Sequence, residues 1–149
     1  MKTNKIKMLS AQFLFNALMI ISILVTLSML FPDIGRGIAF PYFIILWILL
    51  FFAGVGLIIT TYKEKIPGKR KFFLLFSGFS SAGFLIFVVL HNLFYALSTI
   101  TENLVILNKI INFFGVASFL VATIICPVGL IVGIAGTLII LKKSQSEKS

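Results

Sequence analysis

Four apolar stretches, roughly residues 8–31, 40–61, 72–97 and 113–141, occupy most of this chain, and each is long enough to cross a bilayer. A helix rises ~1.5 Å per residue and the hydrocarbon core is ~30 Å thick, so about 20 apolar residues suffice. Inside lipid every backbone N–H and C=O must be satisfied within the segment, which leaves the α-helix as the form of such a stretch. The expected fold is therefore all-α, an integral membrane four-helix bundle forming one transmembrane domain over residues 1–149. At 60% apolar and 11% charged residues, with mean hydropathy +1.15, no water-soluble core could absorb the remaining surface.

The net charge of +9 invites a nucleic-acid reading, but its placement argues otherwise. Lys2, Lys5 and Lys7 precede the first span. Lys63, Lys65, Lys69, Arg70 and Lys71 join the second to the third, and Lys142, Lys143 and Lys148 follow the fourth. Those three segments share one side, leaving Arg36 and Lys109 on the other, and the positive-inside bias makes the crowded side cytoplasmic. The expectation is a multi-pass protein of the plasma membrane with both termini in the cytoplasm. Its partners are then the lipid bilayer and other membrane chains, not nucleic acid. The first apolar run, about 24 residues, exceeds the ~7–15 of a signal-peptide core and reads as a retained anchor.

The links between spans carry turn residues. Pro32, Gly35, Gly37 and Pro41 bracket the first outer link, and Pro67-Gly68 gives a type II turn signal in the cytoplasmic one. Tyr42, Tyr62 and Tyr95 fall near predicted helix ends, where the head-group boundary suits their rings. From Leu104 to Leu141 the apolar character hardly stops, and 38 residues of helix would measure ~57 Å, so a bend or break is expected. Ile100, Leu104, Leu107, Ile111 and Phe114 lie on one side, with Glu102, Asn108, Lys109 and Asn112 opposite. With Thr99 and Glu102 as a capping box, this predicts a short amphipathic interfacial helix over 99–112 before an inward turn near Asn112 to Gly115. The alternative is a fourth helix that simply protrudes.

Helix association in lipid depends on close backbone approach, which small residues permit. The fourth span has such a stripe: Gly115, Ser118, Ala122, Cys126, Gly129, Gly133 and Thr137, joined by Gly136, all within about a third of the circumference at ~100° per residue. It is expected to be a packing seam, against this chain's own helices or against a second copy or larger subunit. Pro127, on another side, is a kink candidate.

The third span carries the polar candidates. Ser77, Ser80, Ser81, His91, Asn92 and Tyr95 project within about 60° of one direction at ~100° per residue. His91 is the sole histidine, and an ionisable residue within a span is a functional candidate: a ligand or ion site, a haem ligand or a proton gate, with Asn92 and Tyr95 in support. Its structural reading is a hydrogen bond to a neighbouring helix. A metal site would need further ligands, and the chain offers one Cys, one His and four acids, Asp33, Glu64, Glu102 and Glu147, all outside the spans. No metal and no cofactor is therefore expected. Gln12 and Asn16, four apart on the first span, are expected to meet the serines of the third.

The block Lys71-Phe72-Phe73-Leu74-Leu75-Phe76-Ser77-Gly78-Phe79 through His91-Asn92-Leu93-Phe94-Tyr95 resembles a stretch of small prokaryotic four-helix membrane proteins of uncharacterised function. The resemblance implies no activity and points to His91 and its neighbours as the site to test. Among known functional classes, small multidrug antiporters look similar in size but rely on an intramembrane Glu that is lacking here. Fluoride-channel-type proteins pair antiparallel, against the charge asymmetry of this chain. The acids form no visible catalytic dyad, which disfavours hydrolysis, and a bacteriocin-immunity or holin-like role fits size and charge without a motif. The reading from sequence is a non-enzymatic subunit or accessory factor of a membrane assembly. The alternative is a small channel or transporter using Ser77, Ser81, His91, Asn92 and Tyr95.

Overall fold

A computed structural model describes residues 2–30 and 41–146, with side chains over 10–27 and 44–146. The first outer link, with Pro32, Gly35, Arg36 and Gly37, lies outside the described residues, as does Lys148, and the side chains of Lys2, Lys5, Lys7 and Tyr42 lie outside the described ones. The elements are α1 (Lys2–Leu30), α2 (Pro41–Lys63), α3 (Gly68–Ile100), α4 (Val105–Leu120), a π turn (Val121–Ile125) and α5 (Cys126–Ser146). The last three form one continuous fourth span, Val105–Ser146, so four helices are long and apolar enough to cross a membrane.

Packing follows chain order: α1 lies on α2, α2 on α3, and α3 on the fourth span. The first helix buries Ala11, Phe15, Leu18 and Ser22, which recur every three or four residues, against Leu50, Ala53 and Leu57 of α2 and Leu74 of α3. Ile66, from the link between α2 and α3, closes this core at its end. The large apolar side chains left outside, among them Phe13, Phe52, Phe79 and Ile131, are the ones lipid tails solvate.

The link between α2 and α3 turns where the sequence signals it. Pro67 is extended at φ −87° and ψ 159°, and Gly68 takes φ +64°, the left-handed conformation that glycine adopts without strain. The turn between the third and fourth spans differs from expectation. Thr99 does not cap a helix start; it lies in the last turn of α3 and its hydroxyl donates to the Tyr95 carbonyl. A three-residue turn, Thr101 to Asn103, reverses the chain, and the fourth span begins at Val105 with no break at Asn112 to Gly115. The reason lies in Asn108, which faces inward: its Nδ2 donates to the Ser98 carbonyl (2.5 Å), capping the end of α3, while the Leu104 N–H reaches Thr101 O. Asn108 of the expected polar stripe is thus a helix-end cap, while Glu102, Lys109 and Asn112 are exposed, and one continuous helix runs from Val105 to Ser146.

Pro127 explains the one irregularity of the fourth span. Proline has no N–H for the Thr123 carbonyl, and in an ordinary α-turn its ring collides with that carbonyl. The chain relieves the collision by widening the preceding turn: the Cys126 N–H reaches back to Val121 O in an i to i+5 bond.

The closest approaches all involve α3. A Cβ added to Gly54 of α2 would stand 2.8 Å from the Gly78 carbonyl and 2.9 Å from the Ala82 nitrogen, both backbone atoms of α3. Gly56, on another side of α2, would meet only the tip of Leu14 at 3.5 Å. The pair makes a clean test. Gly54→Ala is expected to lower stability in detergent by about 1–3 kcal/mol through overpacking against rigid backbone. Gly56→Ala, measured by the same thermal unfolding, should be neutral or slightly stabilising, because Ala favours helix over Gly by ~1 kcal/mol.

Candidate functional site

The third span is the meeting point of the fold, and its polar face divides among different neighbours. Toward α2, Ser81 is fully buried and its hydroxyl donates to the Leu50 carbonyl at 2.6 Å, one turn from the Gly54–Gly78 contact. Toward the fourth span, Ser77 is also buried; its hydroxyl donates to Phe73 O of its own helix at 3.0 Å, and a Cβ on Gly133 would lie 2.7 Å from the Ser77 nitrogen. Ser80 stands over Gly129, Gly83 over the Cys126 sulfur, Phe73 over Gly136 and Phe94 over Gly115. Residue numbers fall on one helix as they rise on the other, so the two spans run antiparallel in a single register.

The stripe of small residues on the fourth span is the surface that fits this face. Gly115, Ser118, Ala122, Cys126, Gly129, Gly133 and Thr137 are buried. Gly129, Gly133 and Gly136 leave no room for a Cβ beside Ser80, Ser77 and Phe73. Such close approach brings dispersion contacts and polar atoms together along the whole span.

His91 sits near the Gly115 end of this seam. Its Nδ1 lies 3.0 Å from the Gly115 carbonyl, and because a carbonyl can only accept, Nδ1 carries the proton in this contact. The ring packs on Phe119 at 5.1 Å. Asn92 and Tyr95 do not join it: the Asn92 amide donates to Val88 O of its own helix, and Tyr95 is 69% exposed. Ser77, Ser81, His91, Asn92 and Tyr95 therefore occupy separate environments and do not line one route. No group of three His, Cys, Asp or Glu side chains lies together among the described residues.

A second polar cluster, at the end of the bundle that holds the link between α2 and α3, escaped the sequence reading. Glu64, expected outside the spans, folds back on α1. One carboxylate oxygen accepts from the Ser10 hydroxyl and from the Ala11 N–H (3.3 Å), and the other is shut from solvent with no hydrogen-bond partner. Arg70 donates from Nη2 to Gln12 Oε1 at 3.0 Å, while its Nε is likewise buried without a partner. Gln12 and Asn16 bond each other at 3.2 Å, so Gln12 meets Arg70 and not the serines of the third span. The reason is helix order: α1 packs along α2 and reaches α3 here at its first turns. The readable signal was Glu64 itself, a lone acid among five cations. Beside it the Lys71 ammonium stands 4.9 Å over the Tyr62 ring.

No protein-family model, curated protein or solved structure matches the chain. Its function is read from the arrangement of its own residues.

That arrangement separates His91 from its neighbours in a measurable way. His91→Ala removes an interhelical bond and should lower thermal stability in detergent by about 0.6–1.7 kcal/mol. Asn92→Ala and Tyr95→Phe, whose side chains make no hydrogen bond to another helix among the described residues, should stay within about 0.5 kcal/mol of the parent.

Proposed function

We propose that this chain is a non-enzymatic integral membrane protein that serves as a subunit or accessory factor of a membrane assembly, inserted in the plasma membrane with both termini in the cytoplasm. The orientation rests on the cations gathered at one end, Lys63, Lys65, Lys69, Arg70, Lys71, Lys142 and Lys143, against Lys109 at the other among the described side chains.

The observation that supports the subunit role is the hairpin of the third and fourth spans. In the register set by Leu50–Ser81 and Trp47–Phe84, the start of α2 at Pro41 stands level with about residue 90 of α3, so the hairpin projects ~14 Å beyond it at ~1.5 Å per residue. Its flanks are apolar and bare: Ile100 is 78% exposed and Ile106 79%, with Leu104, Val105, Leu107 and Phe113 beside them. Only Glu102 and Lys109 are charged there. A contiguous apolar surface at the membrane boundary, on a hairpin that extends past the described start of α2, suits a protein partner. The polar residues of the third span favour the same reading over a pathway, since Ser81 and His91 are engaged by neighbouring helices.

The test is purification from native membranes in mild detergent, comparing the parent with Ile100→Ser/Ile106→Ser by mass spectrometry. The parent is expected to carry a membrane protein in stoichiometric amount that the variant loses, with the variant's own melting temperature unchanged. Recovery of the parent alone, as a defined homo-oligomer indifferent to the substitutions, would overturn the proposal.

A further inference from the structure

At mid-height, where α1 and the fourth span diverge, the four spans line a half-open cavity of about 270 Å³. Ser22, Val25 and Thr26 of α1 form one wall, Leu50 and Ser81 the floor, and Ser80, Phe84, Cys126, Pro127 and Leu130 the rest. We infer that this cavity is a binding site for a small neutral lipophile carrying one hydroxyl or carbonyl group, entering sideways from the bilayer.

Three features define that ligand. The first is size. A cavity of ~150 Å³ lined by aliphatic side chains holds a benzene molecule, so this one takes roughly ten heavy atoms. The second is charge: no Asp, Glu, Lys, Arg or His lines it, and an ion moved there would lose its hydration without compensation. The third is a single polar anchor. The hydroxyls of Ser22, Thr26 and Ser81 donate to the carbonyls of Met19, Ser22 and Leu50. The Ser80 hydroxyl, in contrast, has no partner among the described residues and faces the cavity over Gly129. In a dry apolar site an unsatisfied hydroxyl selects for a ligand that completes its bond. The π turn adds to this: Pro127 lines the cavity and has no N–H for the Thr123 carbonyl, so the wall is not a uniformly bonded helix. This site is independent of the projecting hairpin and of any partner bound to it.

The chain carries its own reporter, because its only tryptophan, Trp47, packs edge-on against Phe84 of the cavity wall at 5.5 Å. Bromine quenches tryptophan fluorescence at short range, so bromohexanol and bromohexane, corrected for their partition into the micelle, can be titrated against the purified protein. Quenching by bromohexanol should saturate, at an apparent affinity about fivefold above that of bromohexane, the worth of one neutral hydrogen bond. Ser80→Ala should erase the difference between the two probes. Thr26→Phe, at the mouth, should fill the cavity and abolish saturable quenching by both, with the melting temperature of each variant recorded to confirm folding. Quenching that rises without saturation, equally for both probes and in the Thr26→Phe protein, would overturn the site. A preference for the alcohol that survives Ser80→Ala would overturn the anchor.

Discussion

Everything in this fold depends on how closely other backbones approach the third span. In water, helices are driven together by burying apolar faces; in lipid that drive is absent, since the tails are as apolar as leucine. What remains is contact at short range, and α3 supplies it on two sides at once. Gly78 and Ala82 admit Gly54 of α2 to within backbone contact, while Ser77 and Ser80 receive Gly133 and Gly129 of the fourth span. Hydrogen bonds then lock each interface: Ser81 to Leu50 O on one side, His91 to Gly115 O on the other. The serines and glycines of this helix act as spacers and as fasteners.

Two consequences follow from the central place of α3. Its 33 residues and the 42 of the fourth span make a hairpin far longer than α2, with 23, so the end of the pair that carries the Thr101–Asn103 turn extends past α2. The second consequence is at mid-height. Because α1 packs mainly on α2, and its Gln12 accepts from Arg70, its described residues make few contacts with the fourth span. Pro127 further disturbs the facing helix there, and a cavity remains between them. Overhang and cavity thus arise from the same uneven helix lengths and contacts, and each gives the protein a surface that its own chain leaves open.

Much of this was legible from sequence, because the bilayer imposes strict rules on length and bonding. The existence of four spans follows from hydropathy alone, and the small residues of the fourth span lie on one face whatever its neighbour. Which neighbour they meet does not follow, since periodicity fixes a face and not a partner. The outer turn was misread for a similar reason: Asn108 and Asn112 look like a water-facing stripe by spacing. Asn108 instead caps the carboxyl end of the preceding helix, a long-range requirement invisible in a local pattern. The polar face of α3 likewise appears continuous on a helical wheel, but the neighbours at its first half and its last turns differ. Glu64 lies outside the spans by sequence, and nothing local reveals its partners, Ser10 and Ala11, on the first span.

The central claim is the register of the third span against the fourth, and the chain's single cysteine allows a direct measurement. A Cβ at position 83 would lie 3.4 Å from the Cys126 sulfur, close to the separation found across a disulfide. Gly83→Cys in an otherwise unaltered chain, oxidised in the membrane and read by intact mass and free-thiol titration, should give an intrachain disulfide in high yield. Two thiols that both stay free under the same oxidation, or cross-links that form only between chains, would contradict the packing on which this account rests.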